Sequence, residues 1–243
     1  MVSLQGPGPH RRYRPHRSRV THSTADTVRR NLSRIRDEIA QACERSNRNP
    51  DDVTLVAVTK SVGVDEVRIL FDLGVRHFGE SRLHEAETKT DAVDRDAIWH
   101  MVGHIQRRKA KGVVERFDCI DAVDRIELAH TLDQRAGEAQ KCIPVLVEVN
   151  VSGETEKYGF STSETGSAAA ALNEMEHLDI QGLMTMAPRV DDPETIRCHF
   201  ANLRRIRDDL GLRELSMGMS EDYVVAIEEG STQVRIGRAL FKV

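Results

Sequence analysis

Two stretches near the end of the chain decide the fold: residues 215–222 read LSMGMSED and residues 230–237 read GSTQVRIG. Each holds a short strand-like apolar run, followed by small residues that open a turn or a helix. Backbone N–H groups at such points have no partner within the helix and attract anions, phosphate above all. The two stretches therefore predict two strand ends that together bind a phosphate group.

The rest of the chain alternates between strand patterns and helical patterns. The candidate strands are short apolar runs at residues 53–59, 75–79, 98–103, 119–123, 144–150, 180–186, 214–218 and 233–236. Helical spacing of apolar residues fills the intervals, and it also precedes the first strand at Val28, Leu32, Ile35, Ile39 and Cys43. Short apolar strands of this kind are typical of a parallel sheet covered by helices.

Eight strands in strict alternation with helices predict an α/β fold, the (β/α)8 TIM barrel. A doubly wound open sheet is the alternative. It more often has about five or six strands and a glycine-rich turn after the first one, and no GxGxxG motif follows residue 59. Little chain remains after the last strand, so we expect an extra N-terminal helix, residues 24–46, to complete the outer ring. The predicted domain is a single barrel over residues 23–243.

The composition excludes several classes of protein. Of the 243 residues 30% are charged, and the net charge of −4 suits a soluble protein without a nucleic-acid partner. No run approaches the roughly 20 apolar residues that span a bilayer, so we expect no membrane partner. The four cysteines, Cys43, Cys119, Cys142 and Cys198, form no CxxC pair. We expect them to be reduced core residues of a cytoplasmic protein.

The first 22 residues differ from the rest. They hold five arginines between positions 11 and 19, prolines and histidines, and no acidic residue. A targeting peptide or a basic arm for polyanions is one interpretation, but the apolar core of a secretory signal and amphipathic spacing are both missing. We expect a disordered basic tail, or a start that extends beyond the folded protein.

A second clue to function lies upstream, where residues 53–60 read VTLVAVTK, an apolar strand that ends on a lysine. The active site of a (β/α)8 barrel lies at the C-terminal ends of its strands, with phosphate usually bound by the loops after strands seven and eight. Lys60 would lie at that rim. A strand-end lysine often extends to water. Across the barrel from a phosphate cradle, however, a buried lysine predicts an imine with an aldehyde, and hence pyridoxal 5'-phosphate (PLP) as cofactor.

The two C-terminal stretches contain the residues predicted to bind the rest of the cofactor. Gly237 has no Cβ and lets the backbone approach a phosphate closely. Ser220 is a candidate for the same phosphate, or only the N-cap of a helix through residue 229 that Gly230 ends.

Arg235 alternates with two apolar neighbours, so it faces away from them. If it points into the barrel mouth, it donates to the pyridine nitrogen of PLP and keeps that nitrogen unprotonated. A salt bridge to a neighbouring strand is the alternative. His100 and His104 share a strand-like segment but lack a third ligand at a recognised spacing, so we predict no metal site.

At these residues the chain resembles the pyridoxal phosphate homeostasis protein family, single-domain relatives of the N-terminal barrel of alanine racemase. The matching segments lie in order from about residue 25 to the end, at residues 55–60, 77–80, 99–106, 149–159, 182–186, 215–222 and 230–237. The chain departs from the usual family pattern in three places: at Ser81 in place of asparagine, in the segment of residues 107–109, and at Lys242 in place of glycine.

The resemblance implies that Lys60 carries PLP as a Schiff base. It also implies phosphate contacts from the segment of Ser216, Met219 and Ser220 and from Gly237, with Arg235 near the pyridine nitrogen. Lys157 would be a second lysine near the rim.

Two classes of function compete on this basis. The first is a PLP carrier that takes part in intracellular PLP homeostasis and delivers the cofactor to apo PLP-dependent enzymes. The second is a PLP-dependent enzyme such as an amino-acid racemase, which needs a base on each face of the substrate imine; in alanine racemase the second base comes from another domain. We expect no such domain here, and therefore a carrier without robust turnover. We also expect a monomer. A barrel that binds another phosphorylated metabolite is a third interpretation.

Overall fold

The structure is a computed structural model, and it describes residues 22–93, 96–188, 190 and 192–242. The predicted basic tail, residues 1–22, lies outside the described residues except for His22, the first residue of helix α1. None of the helices within these ranges is both long enough and apolar enough to cross a membrane.

The described residues contain nine strands: β1 Thr54–Val58, β2 His77–Glu80, β3 Ile98–Met101, β4 Cys119–Val123, β5 Ile143–Asn150, β6 Phe160–Ser161, β7 Leu178–Met184, β8 Glu214–Ser216 and β9 Gln233–Ile236. Eight of them form a parallel barrel in the order β4-β3-β2-β1-β9-β8-β7-β5, which the pairing of β4 with β5 closes. The predicted (β/α)8 barrel and its eight strands are confirmed. The two-residue β6 pairs with the end of β5 and was not predicted, because it is too short to show a pattern.

Helices follow the strands: α1 His22–Arg45, α2 Val64–Asp72, α3 Leu83–Thr90, α4 Ala110–Arg116, α5 Ile126–Glu138, α6 Thr165–Asn173, α7 Pro193–Asp209, α8 Tyr223–Glu228 and α9 Arg238–Phe241. Helix α1 packs against α8, α9 and α2, at the place where the short α9 leaves the ring incomplete. Its predicted apolar face is buried at Val28, Leu32, Ile35, Ile39 and Cys43. The extra N-terminal helix therefore completes the outer ring as expected.

The barrel wall separates the main apolar core from an interior in which buried polar side chains accompany a small apolar cluster of Ala122, Leu146 and Met184. Side chains such as Phe78, Leu183 and Val234 are fully buried in the main apolar core. Complete burial of side chains of this size stabilises the fold by about 1.5–3 kcal/mol each. Residues that alternate with them are often polar but equally buried, among them His100, Asp121, Glu148, Ser216 and Arg235. These buried polar groups lead us to look for a binding site at the C-terminal ends of the barrel strands.

The prediction that all four cysteines are core residues was wrong for two of them. All four are free thiols, but Cys142 and Cys198 are exposed. Cys142 immediately precedes β5. Cys198 precedes the buried Phe200 of α7 by two residues, which places it about 200° away around the helix, toward solvent.

Candidate cofactor site

The predicted site consists of Lys60 after β1 and of the loops after β8 and β9, and these three strands are neighbours in the barrel. β9 lies between β8 and β1, with Arg235 paired to Val56 and Gln233 paired to Ser216. Since these strands are parallel, their C-terminal ends meet at one rim of the barrel. Lys60, which follows β1, therefore lies beside the two C-terminal loops. The expectation from the sequence that it lies across the barrel from them was wrong.

Lys60 lies two residues beyond the end of β1, in a tight turn. The N–H of Val62 donates to the carbonyl oxygen of Thr59, 3.1 Å away, so Lys60 and Ser61 are the central residues of that turn. The side chain of Lys60 is exposed, and no described residue gives it a hydrogen bond or an ion pair. The prediction that Lys60 is buried was wrong. The buried residues of this segment end at Thr59, and Lys60 is the first residue beyond the barrel wall.

The loop after β8 is packed directly onto the start of α8. Gly218 has a φ of +94°, and a Cβ there would lie 2.9 Å from Cα of Tyr223. The N–H of Met219, whose side chain is exposed, donates to Oδ1 of Asp222 at 2.5 Å. These contacts hold the loop against the first turn of α8.

Ser220 connects the loop after β8 to the loop after β9. Its Oγ accepts a hydrogen bond from the N–H of Ala239 in α9, at 3.2 Å. The prediction of Ser220 as an N-cap was wrong: α8 begins at Tyr223, after Asp222, because residues 219–222 first form a separate turn. Gly230 does follow the end of this helix, with a φ of +94°.

The three loops border a cavity of about 470 Å³, which is lined by Ser61, Ser220, Glu221, Arg238, Ala239, Phe241 and Lys242. Among the described residues, no acceptor binds the backbone N–H groups of Ser220 and Arg238. Gly237 lies so close to β1 that a Cβ would be 3.2 Å from the carbonyl oxygen of Val58. Free N–H groups and a glycine at a close approach fit a phosphate group.

Arg235 is buried inside the barrel. It donates from Nη1 to Oγ of Ser216 at 2.6 Å and from Nη2 to the carbonyl oxygen of Thr185 at 2.7 Å. Burial lowers the pKa of Arg235, while the carboxylates of Asp121 and Glu148 oppose that shift. The inward direction predicted from alternation is consistent with these contacts. The hydroxyl of Ser216 accepts from Arg235, so this predicted phosphate residue lies deeper than the loops.

A chain of polar side chains crosses β2, β3 and β4 inside the barrel. Nδ1 of His77 lies 2.9 Å from Nε2 of His100, and Nδ1 of His100 lies 3.1 Å from Oδ1 of Asp121. Burial, and then the neighbouring His100, lower the pKa of His77 to about 4. The sequence reasoning missed this chain, although inward-facing polar residues on three consecutive buried strands were a usable signal.

Glu148 of β5 is a further buried carboxyl group that sequence reasoning missed. Burial raises its pKa to about 7; the charge of Asp124 adds to that shift and Arg235 opposes it. The barrel interior thus contains a carboxyl group that titrates near neutral pH.

The far side of the rim contains His104 and Lys157. Nδ1 of His104 lies 2.7 Å from Oδ2 of Asp124, and its ring stacks on Tyr158 at 3.9 Å. Lys157 forms an ion pair with Glu154 at 2.7 Å, so this second lysine is less free than Lys60. Within the described ranges, no group of three or more His, Cys, Asp or Glu residues could hold a metal ion.

Comparison with known sequences gives one consistent result. Residues 30–243 match the family model described as alanine racemase, N-terminal domain. The pyridoxal phosphate homeostasis protein of Aquifex aeolicus is 37% identical over 217 residues, which cover 86% of this chain and 95% of that protein. The protein of the same name from Escherichia coli (strain K12) is 34% identical over 226 residues, with coverage of 88% and 95%.

Solved structures agree with the sequences. PipY of Synechococcus elongatus with PLP bound superposes with a TM-score of 0.78 at 31% identity, over 88% of this chain and 99% of that one. An alanine racemase of Clostridium difficile superposes with a TM-score of 0.70 over 88% of this chain and 56% of its own. At 16% identity, that likeness shows the fold alone.

Proposed function

The chain belongs to the family of pyridoxal phosphate homeostasis proteins, with an alanine racemase N-terminal barrel, and we propose that it binds and releases PLP. Lys60 would hold the cofactor as a Schiff base. The bound cofactor supplies an aldehyde, which condenses reversibly with amines. The protein would take part in intracellular PLP homeostasis by storing this reactive aldehyde and supplying it.

The observation that carries the proposal is the position of Lys60. Its amine is exposed, has no partner among the described residues, and lies beside the loops after β8 and β9. A nucleophilic lysine must be reachable by the aldehyde and free of competing partners. Exposure would also give water access to a Schiff base at Lys60, which permits its hydrolysis and the release of the cofactor.

The neighbouring loops would bind the phosphate group. We assign this role to the N–H groups of Ser220 and Arg238, with Met219 and Gly237 shaping the loops around them. Their support is the free backbone donors and the close approach of Gly237 to Val58. Charge-assisted hydrogen bonds from backbone amides to phosphate contribute roughly 1.5–3 kcal/mol each.

Arg235 would face the pyridine ring, with Ser216 holding its guanidinium group in place. A cation at this position disfavours protonation of the pyridine nitrogen, because two adjacent positive charges repel. The ring is then a weak electron sink. This arrangement supports a carrier over a racemase, and we propose that the protein has no robust turnover of amino acids.

We further propose that the carrier acts in the cytoplasm, as a monomer, and delivers PLP to apo PLP-dependent enzymes. The free thiols of Cys43, Cys119, Cys142 and Cys198 support a reducing compartment. Apo-enzyme recipients and the monomeric state stay predictions.

A transfer assay tests the proposal. The protein is loaded with PLP, freed of excess cofactor by gel filtration and mixed with an apo PLP-dependent enzyme, whose recovered activity is followed. We expect reactivation by the loaded protein and none by the Lys60→Ala variant carried through the same steps. Equal reactivation by both samples would contradict the proposal.

A further inference from the structure

A buried ion pair between Lys89 and Glu80 forms hydrogen bonds with Thr59, the residue immediately before Lys60. Nζ of Lys89 lies 2.6 Å from Oε1 of Glu80 and 2.7 Å from the carbonyl oxygen of Thr59. The hydroxyl of Thr59 donates to the same Oε1 at 2.6 Å. Thr59 and Glu80 are fully buried and Lys89 is 5% exposed. Thr59 is thus held at its backbone and at its side chain.

The fold brings these groups together from two neighbouring elements. Glu80 is the last residue of β2, which pairs with β1, and the N–H of Thr59 extends that pairing to the carbonyl oxygen of Gly79 at 3.0 Å. Lys89 is the second-last residue of α3, and its side chain reaches back to the end of β1. Helix α3 therefore places a positive charge against the peptide that leads into Lys60.

The arrangement is a costly way to stabilise a barrel. Moving two charges out of water costs several kcal/mol each, and an apolar pair of similar volume often stabilises a fold as well or better. Oε2 of Glu80 is buried and has no hydrogen-bond partner in the described part of the chain. An unmade hydrogen bond of this kind adds a further penalty. A role in fixing geometry accounts for the network better than a role in stability.

The geometry that it fixes is the turn of Lys60. The carbonyl oxygen of Thr59 accepts from Nζ of Lys89 and also from the N–H of Val62, which closes the turn. Two donors on one oxygen hold the plane of the Thr59–Lys60 peptide. The direction in which the Lys60 side chain leaves the barrel wall is then set by the backbone, although no described residue forms a hydrogen bond or an ion pair with its amine.

We propose that Glu80 and Lys89 are positioning residues for Lys60, acting through Thr59. They aim the amine at the aldehyde carbon of PLP while the loops after β8 and β9 hold the phosphate. The inference rests on the proposed function, since it concerns the lysine that forms the Schiff base. Misplacement of a reacting group by about 1 Å can cost up to 100-fold in rate.

The test compares the rate of Schiff-base formation with the stability of the fold. The variants are Glu80→Gln/Lys89→Met, which replaces the ion pair by a neutral pair, and Thr59→Val, which keeps both charges and removes only the hydroxyl. Thr59→Ser is the matched control that keeps the hydroxyl and removes only the methyl group. Leu172→Ala, in the buried face of α6, is the control for a general loss of stability.

Each purified protein is mixed with PLP, and the visible band is followed over time; borohydride reduction and peptide mapping identify the modified lysine. Thermal unfolding is measured without PLP. We expect the neutral double variant to unfold within a few degrees of the wild type or above it, yet to react at Lys60 at least tenfold more slowly. Thr59→Val should also be slow. Thr59→Ser and Leu172→Ala should react within about twofold of the wild type.

Wild-type rates in both the double variant and Thr59→Val would overturn the inference while leaving the proposed function intact. If the double variant does not fold, Thr59→Val against Thr59→Ser decides the matter alone. A wild-type protein that forms no adduct at Lys60 would instead overturn the proposed function, and this inference with it.

Discussion

Nη1 of Arg235 lies 2.6 Å from Oγ of Ser216, and this contact joins β9 to β8 inside the barrel. Nη2 of the same guanidinium group donates to the carbonyl oxygen of Thr185. Two hydrogen-bond acceptors inside the barrel therefore fix the position of the buried guanidinium group. The carboxylates of Asp121 and Glu148 favour that charge. Arg235 thus serves the stability of the barrel as well as its proposed cofactor contact.

The first prediction is that Arg235→Met lowers the free energy of unfolding by about 2–4 kcal/mol. The change removes two charge-assisted hydrogen bonds and leaves buried carboxylates without their counter-charge. Urea denaturation without PLP measures it. Arg238→Met, at a site where the side chain is 77% exposed, should change the same free energy by less than about 0.5 kcal/mol. Equal stability of the two variants would show that Arg235 does not balance the interior charges.

The second prediction concerns the pH dependence of stability through Glu148. Its pKa is about 7 in the folded protein, against an ordinary value of 4.5, so the folded state binds more protons than the unfolded state between these values. Stability from this group is therefore present at low pH and is lost as pH rises through about 7. The loss is on the order of 3 kcal/mol. His77 titrates in the opposite sense, because its pKa is lowered to about 4.

Glu148→Gln isolates this contribution, since the effect of His77 is nearly the same in both proteins. The variant should be more stable than the wild type at pH 8, and its advantage should shrink toward pH 5. Urea denaturation at several pH values measures the difference. A difference that does not change with pH would mean that Glu148 ionises at its ordinary pKa.

The third prediction is that Gly237→Ala weakens PLP binding. A Cβ at this position would lie 3.2 Å from the carbonyl oxygen of Val58, so the loop after β9 must move away from β1 and carry its N–H groups with it. Loss of one charge-assisted hydrogen bond to phosphate costs about 1.5–3 kcal/mol, or roughly 10- to 150-fold in the dissociation constant. Equilibrium dialysis with PLP measures it.

Two further variants complete this comparison. Gly166→Ala is the matched control, because a Cβ there meets nothing nearer than 4.0 Å; its dissociation constant should equal that of the wild type. Ser220→Ala removes the link to Ala239 and should also weaken binding. Unchanged binding in both Gly237→Ala and Ser220→Ala would place the phosphate elsewhere.

The fourth prediction is that the purified protein does not racemise free amino acids at enzymatic rates. A Schiff-base lysine at position 60 would serve one face of a substrate imine, and a missing general base typically costs 10²–10⁴-fold. Chiral chromatography of alanine after incubation with the PLP-loaded protein measures the activity. Turnover at roughly 1–10³ s⁻¹ would contradict the proposed carrier function and indicate a racemase.

Much of the fold could be predicted from local patterns. Apolar strand runs and their alternation with helices identify the eight barrel strands, because each pattern lies within one short segment. The loops after β8 and β9 that we propose for phosphate binding are identified from the small residues at the strand ends, and the proposed Schiff-base residue Lys60 from its place after β1. Alternation with Val234 and Ile236 predicts that the side chain of Arg235 lies on the opposite face of the barrel wall from theirs.

The rest depends on contacts that local patterns do not contain. The exposure of Lys60 depends on where the barrel wall ends, and its place beside the loops after β8 and β9 depends on the pairing of β9 with β1 in the barrel. The ion pair of Glu80 with Lys89 needs the reach of a side chain from α3 back to the end of β1. In the sequence, both residues look like the ordinary charges of strand ends and helix faces.

One measurement tests the central claim most directly: borohydride reduction of the PLP-loaded protein, followed by peptide mapping of the adduct. We predict a visible Schiff-base band that disappears on reduction, one phosphopyridoxyl group on Lys60, and no band in Lys60→Ala. That variant should unfold within about 0.5 kcal/mol of the wild type, because the side chain of Lys60 is exposed and has no partner among the described residues. An adduct on Lys157 instead, or an unchanged band in Lys60→Ala, would contradict the account.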